Sequence, residues 1–502
     1  MRQFLVPAVA LALLAGTVSP LSASGSSEAP AARRVAWLAT QAVPIRSQAI
    51  GASATDLAPL ARDLAGARLV GLGEATHGTR DFIRLRARLV EYLVRQRGFR
   101  FLVFEAEMGA MVRVDRYLTR GIGSLEDALG SLNVLYQYRD FVALFRWVRA
   151  WNVAHPTDQV RVYGNDAQNY AGILEVLALE QPQTRPLLER VAVPGRALTA
   201  LQQSGFSDPL YYRKQRLDEA GIAARTKTLT AAMRREIAAL RASLARTARG
   251  TAVQRNFAAL LARNLERYTE TVNPLFQYYI VTKQDAKLNR AFFESLKNGD
   301  PRERALGENA LAVLKLEGKA AKGVYWAHNQ HVGKGFQSGS PASGELIARA
   351  IGRAYFAVMT DFYDGRFCAT QYSGREQRVF TKRGIAVASL SAKLARVGDQ
   401  LWLRLRDRRR SDPDEVWLFD PMRHYTIGGA HSDDPSEQQV LGGEYQTEVL
   451  PERFDATLFV RTTEAPEQDP GLLEAEVLQA PLAARARLRA DLLKIFTCKP
   501  SR

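Results

Sequence analysis

The sequence predicts an α/β fold: a parallel-sheet core with helices on both faces and an inserted long helical hairpin. Three observations carry this. Short apolar runs bounded by glycine or charge recur from residue 68 onward, and stretches with helical spacing of apolar residues alternate with them. Near residue 217 the alternation gives way to Ala-, Leu- and Arg-rich helical sequence alone. Strands separated by helices run parallel, with the crossover helices packed on the sheet faces.

The elements follow in order. Met1-Arg2, an apolar run over 4–18 and the small residues Ser22-Ala23-Ser24-Gly25 have the layout of a secretory signal peptide. Residues 1–24 are therefore read as a signal segment and 25–44 as a flexible leader. The apolar run is shorter than the ~18–20 residues of a membrane span, so a periplasmic or secreted protein without a span is expected. Residues 68–73 (RLVGLG) form the first strand, and 81–97 a helix buried through Phe82, Leu85, Leu89, Tyr92 and Leu93 and stopped by Gly98. A second strand over 101–104, helices over 108–118 and 140–154, a third strand over 160–164 and a helix over 168–179 continue the pattern. Stretches 217–249 and 253–271, split by Gly250, read as an antiparallel helical hairpin inserted at about 217–275, and are expected to cover the strand ends. A helix over 284–316, a fourth strand over 323–327 (GVYWA) and a fifth over 356–360 come next, and a last strand over 456–460 closes a domain spanning 45–465. Residues 466–502 are left as a C-terminal tail.

Composition narrows the function. Sixty-nine Lys and Arg against 52 acids give a formal charge of +17. In an exported chain the basic excess, strung along helices as in Arg225, Arg234, Arg235 and Arg241, reads as a solvated face rather than a nucleic-acid surface. Two cysteines exclude a Cys-based zinc finger, and Cys368 and Cys498 are expected to pair in an oxidising compartment.

The chemistry gathers at the carboxyl ends of the strands, where open α/β sheets bind ligands. Glu74-Ala75-Thr76-His77-Gly78 follows the first strand, Glu105 and Glu107 close the second, Asn165-Asp166 ends the third, and His328-Asn329-Gln330-His331 follows the fourth. Three of the six histidines of the chain lie in these segments. Other motifs fail: Gly71-Leu72-Gly73 lacks the third glycine of a dinucleotide fingerprint, and no G-x-S-x-G, Walker A or H-E-x-x-H sequence occurs. A His and carboxylate cluster without a nucleophile remains. A neutral imidazole can take a proton from water while a carboxylate holds its tautomer, and a guanidinium such as Arg86 can stabilise an oxyanion.

The segments GEATHGT at 73–79, FRFLVFE at 99–105, RERALGEN at 302–309, WAHNQHV at 326–332 and Phe454-Asp455-Ala456 resemble the erythromycin esterase family, over roughly residues 45–465. The resemblance implies an α/β core with a helical insertion and hydrolysis of a lactone ester by activated water, with no metal or cofactor. His77 would be the general base, Glu74 and Glu105 would orient it or the water, Arg86 would stabilise charge, and His328 and His331 would complete the site. Asp81 stands where relatives often carry Glu, and no role is assigned to it. The expected partner is a small-molecule ester or lactone. Two alternatives stand beside this: an exported metal-dependent hydrolase or protease using the same His and Glu cluster, and a non-catalytic periplasmic binding module.

Overall fold

Six parallel strands form the centre of a mixed sheet in the computed structural model. It describes residues 28–500 apart from 131, 208–209, 283, 285–286, 288–298, 338, 373–375, 441–442 and 473–497. The strands used below are β1 (Leu69–Leu72), β2 (Phe101–Glu107), β3 (Arg161–Asp166), β4 (Gly323–Trp326), β5 (Tyr355–Gln371), β6 (Gln377–Lys382), β7 (Gln400–Arg404) and β8 (Ala456–Thr463). Across the sheet their order is β7-β8-β5-β1-β4-β2-β3. From β8 to β3 every neighbour is parallel. The sequence expectation of a parallel core holds, and antiparallel pairing is confined to its margins: β7 against β8, Val43–Pro44 against β7, and β6 against the far half of β5.

Alternate residues of each strand face opposite layers. Phe104 and Trp326 enter one core with Phe82, Val90 and Phe145. Their neighbours Val103 and Tyr325 enter the other with Ile237, Leu261, Val313 and Ile347. The first layer is built by α2 (Arg80–Arg97) and α4 (Arg139–Ala154). The second takes α5 (Ala171–Glu180), α6 (Arg185–Ser207), α7 (Glu219–Thr247), α8 (Ala252–Thr271) and α9 (Pro301–Glu317). Helix α3 (Met108–Arg120) touches both cores. The α7 and α8 pair is the inserted hairpin. Asp218 caps α7, and a Thr251/Gln254 capping box starts α8.

The ends of the chain differ in how they meet expectation. The expected signal segment lies outside the described residues. Residues expected as a flexible leader form the helix α1 (Glu28–Gln41), because Leu38 is fully buried and Trp37 meets Trp417 edge-on at 5.8 Å. The expected pairing of Cys498 with Cys368 of β5 is present, and beside it Lys499–Pro500 pairs with β6. Of the helix expected over 284–316, residues 285–286 and 288–298 lie outside the described residues, and the described part is α9 from Pro301, with the Asp300 carboxylate accepting from the amides of Arg302 and Glu303.

Candidate active site

Register brings the functional residues together. Leu72 of β1 lies opposite Trp326 of β4, and Trp326 opposite Phe104 of β2, which pairs with Gly164 of β3. Glu74, His328, Glu105 and Asp166 therefore leave the sheet within two residues of one row. The turn after β1 folds tightly against β5: a Cβ on Gly78 would collide with the Cys368 carbonyl, and the Cys368 amide donates to the Gly78 carbonyl at 2.7 Å. Only glycine permits that approach, and it fixes where His77 stands.

A cavity of about 270 Å³ opens at this edge. Its polar wall includes Glu74, His77, Glu105, Glu107, Asp166 and Arg302, and its apolar wall includes Leu132, Leu135, Tyr136 and Phe141. His77 Nδ1 lies 2.7 Å from Glu74 Oε1. That carboxylate is acceptor-only, so the Nδ1 hydrogen points to it and Nε2 keeps its lone pair. Nε2 makes no hydrogen bond among the described residues. Burial holds the imidazole below its ordinary value, reinforced by the charges of His331 and Arg302 against the opposing pull of Glu105. His77 is a neutral base facing the cavity.

The remaining expected residues sit behind this front. Arg86 is fully buried; it contacts Glu74 Oε2, donates to the Phe82 carbonyl at 3.2 Å and lies 4.0 Å over the Trp326 ring. It does not line the cavity. Burial pulls its guanidinium down, yet the carboxylate in contact keeps it charged. The expectation that Arg86 faces an oxyanion therefore fails: its charge is spent on Glu74. His328 uses both ring nitrogens, Nδ1 accepting from the Gln330 amide at 3.3 Å and Nε2 donating to the Ala75 carbonyl at 3.2 Å. Burial and the neighbouring imidazoles hold it well below its ordinary value, so it is a neutral strut between two strand-end loops. His331 lies between Glu303 (2.5 Å from Nδ1) and Glu105 (3.2 Å from Nε2). Against the cost of burial, these two carboxylates push its pKa up to about 10, which makes it an imidazolium. Asp81 accepts from the Glu464 amide at 2.7 Å and ties α2 to the end of β8, away from the cavity.

Glu105 is the hub. Its Oε1 accepts from Arg302 at 2.8 Å and its Oε2 from the His328 amide at 2.9 Å. Burial opposes its charge, but the His331 imidazolium and Arg302 hold the carboxyl well below the usual carboxylate range.

Sequence reasoning gave no role to Arg302 and Glu303. Arg302 is the one cation among the described cavity-lining residues, held by Asp166 at 2.7 Å and Glu105. Its NH1 lies 3.2 Å from His331 Nε2, which as an imidazolium has no lone pair to offer. An N–H of NH1 is thus left for another acceptor. Glu303 binds His331 and the Ser343 amide at 2.7 Å. The signal for both was the start of α9, Asp300-Pro301, which places the next two residues at a helix head. The hairpin is not the expected cover: no described residue of α7 or α8 lines the cavity. Instead Asn264 of α8 donates to the Asp166 carbonyl at 3.1 Å from behind, and the segment around Leu132–Tyr136 forms the wall. Among the described residues no three His, Cys, Asp or Glu side chains converge as a metal ion requires.

The fold recurs in solved structures. A Bacillus cereus protein superposes with a TM-score of 0.64 at 22% identity, covering 87% of this chain and 98% of that one. A protein titled as a succinoglycan biosynthesis protein gives 0.65 at 19% identity, covering 88% and 100%. An erythromycin esterase mutant in its open conformation gives 0.58 at 17% identity, covering 82% and 94%. The sequence profile of erythromycin esterase matches residues 94–463, which takes in Glu105, Arg302, His328 and His331 but not Glu74, His77 or Arg86. With that match over most of its length, the chain belongs to the erythromycin esterase family.

Proposed function

We propose that this chain hydrolyses carboxylic esters or lactones by direct attack of a water molecule that His77 deprotonates. Family membership supports a hydrolase of the esterase kind. The observation that carries the mechanism is the pairing of a neutral, cavity-facing His77 with Glu74 at 2.7 Å, itself backed by buried Arg86. As Nε2 takes the proton, Glu74 stabilises the imidazolium that forms. Negative charge then develops on the carbonyl oxygen, and the unspent N–H of Arg302 is the donor suited to meet it. The apolar wall of Leu132, Leu135 and Phe141 suits the hydrocarbon of an ester or lactone. The Cys368–Cys498 disulfide supports a place of action outside the reducing cytoplasm.

A panel of esters and lactones incubated with the purified protein, with and without EDTA, tests this reading. Turnover that EDTA leaves unchanged is expected. Turnover abolished by EDTA and restored by Zn²⁺ or Mn²⁺ would transfer the site to metal-dependent hydrolysis. Ligand binding without turnover would leave a binding module.

A further inference from the structure

We propose that Glu107 is the general acid of this site, giving its proton to the alkoxide that departs when the ester C–O bond breaks. The proposal rests on the ester-hydrolase reading above. Glu107 is the last residue of β2 and lines the same cavity as His77. It stands in register with Asp166 at the end of β3, so two carboxyl groups lie side by side on adjacent strands. What separates them is their cations. Asp166 and Glu105 share Arg302, and Glu74 is held by Arg86 and His77. Glu107 alone among the carboxylates of the cavity wall has no cation partner among the described residues; its side chain meets the amide of Asn169. Two adjacent carboxyl groups do not both ionise cheaply, and the one without a cation is the easier to protonate. Burial first, with the charge of Asp166 added to it and the Asn169 amide opposing, raises the Glu107 carboxyl from its ordinary value, while burial lowers His77. One cavity thus holds a group biased toward its unprotonated form and a group biased toward its protonated form, the pair that general base and general acid chemistry requires.

The steps balance. The water oxygen bonds to the carbonyl carbon while one water proton passes to His77 Nε2, leaving a tetrahedral oxyanion. When the carbonyl re-forms, the bond to the leaving oxygen breaks, and its electron pair takes the Glu107 proton. The His77 proton then returns to the Glu107 carboxylate, through solvent or directly, and the products are the acid and the alcohol.

The test compares leaving groups. An aryl ester that expels p-nitrophenolate needs no proton, whereas an alkyl ester or lactone with the same acyl group does. General acid assistance is worth ~10²–10⁴-fold, so Glu107→Gln should lower kcat by that factor on the alkyl substrate and by less than about threefold on the aryl one. Glu107→Asp should recover part of the alkyl activity. Any limb of the wild-type pH profile over which activity falls with rising pH as Glu107 ionises should be absent from Glu107→Gln. Equal loss on both substrates, or loss on neither, overturns the proposal. Should Glu107→Gln fail to fold, the wild-type protein alone decides: kcat nearly independent of leaving-group acidity supports the acid, and a steep dependence overturns it. A wild-type protein that hydrolyses neither ester overturns the underlying reading, and this proposal with it.

Discussion

The role proposed for His77 depends on what stands behind it. Glu74 accepts the Nδ1 hydrogen with one oxygen and touches Arg86 with the other. Stacking of Arg86 on Trp326 contributes roughly 0.5–2 kcal/mol, but leaving a buried partner unpaired costs about 3–5 kcal/mol. The ion pair, then, is what holds this chain of contacts in place. Glu74→Gln keeps the shape and loses the charge; its amide can present NH2 to Nδ1 and turn the imidazole to the wrong tautomer. The expected result is a kcat lower by up to ~10⁴-fold with little change in KM, checked by steady-state kinetics on protein whose circular dichroism is unchanged. Arg86 shows what the sequence conceals at this scale. Its true partner lies twelve residues upstream in a loop, a contact that only the packing of α2 against β1 creates.

The strands account for most of what was legible, because each ends in an apolar run followed by charge. Glu74, His77 and Glu105 could be placed at one sheet edge before their contacts were known. Arg302 and Glu303 could not: they come from the first turn of α9, and a helix head carries no strand-end signature. The Leu132–Tyr136 wall has no periodic pattern at all, and α1 was misread because its few buried residues follow a stretch of leader-like composition. The disulfide is also an element-scale device. It joins residues 130 apart, and a loop of that length constrains the unfolded chain by about 5 kcal/mol in the chain-entropy model. Reduction should lower the melting temperature by at least several degrees, measured by thermal unfolding with and without a thiol reductant. An unchanged melting temperature would mean that the bond is not formed in the folded protein.

The whole sheet serves to hold opposite charges in one buried edge, and stability should report it. His331 has an ordinary pKa of 6.5 and one of about 10 in the fold. A raised pKa contributes stability that is complete below the unfolded value and is lost as pH rises through the folded one. Thermal stability should therefore decline between about pH 6.5 and pH 10, and His331→Gln should flatten that decline while lowering stability near neutrality. Glu105, held low by the same cations, acts in the other direction: its contribution is lost as pH falls below its ordinary range. Melting temperatures taken across this pH range check both signs.

The central claim is that His77 activates the water. A general base contributes ~10²–10⁴-fold, so kcat of His77→Asn on the best ester or lactone of the panel is the direct measurement. The account predicts a kcat lower by that factor with KM nearly unchanged; full activity in the His77→Asn protein would contradict it.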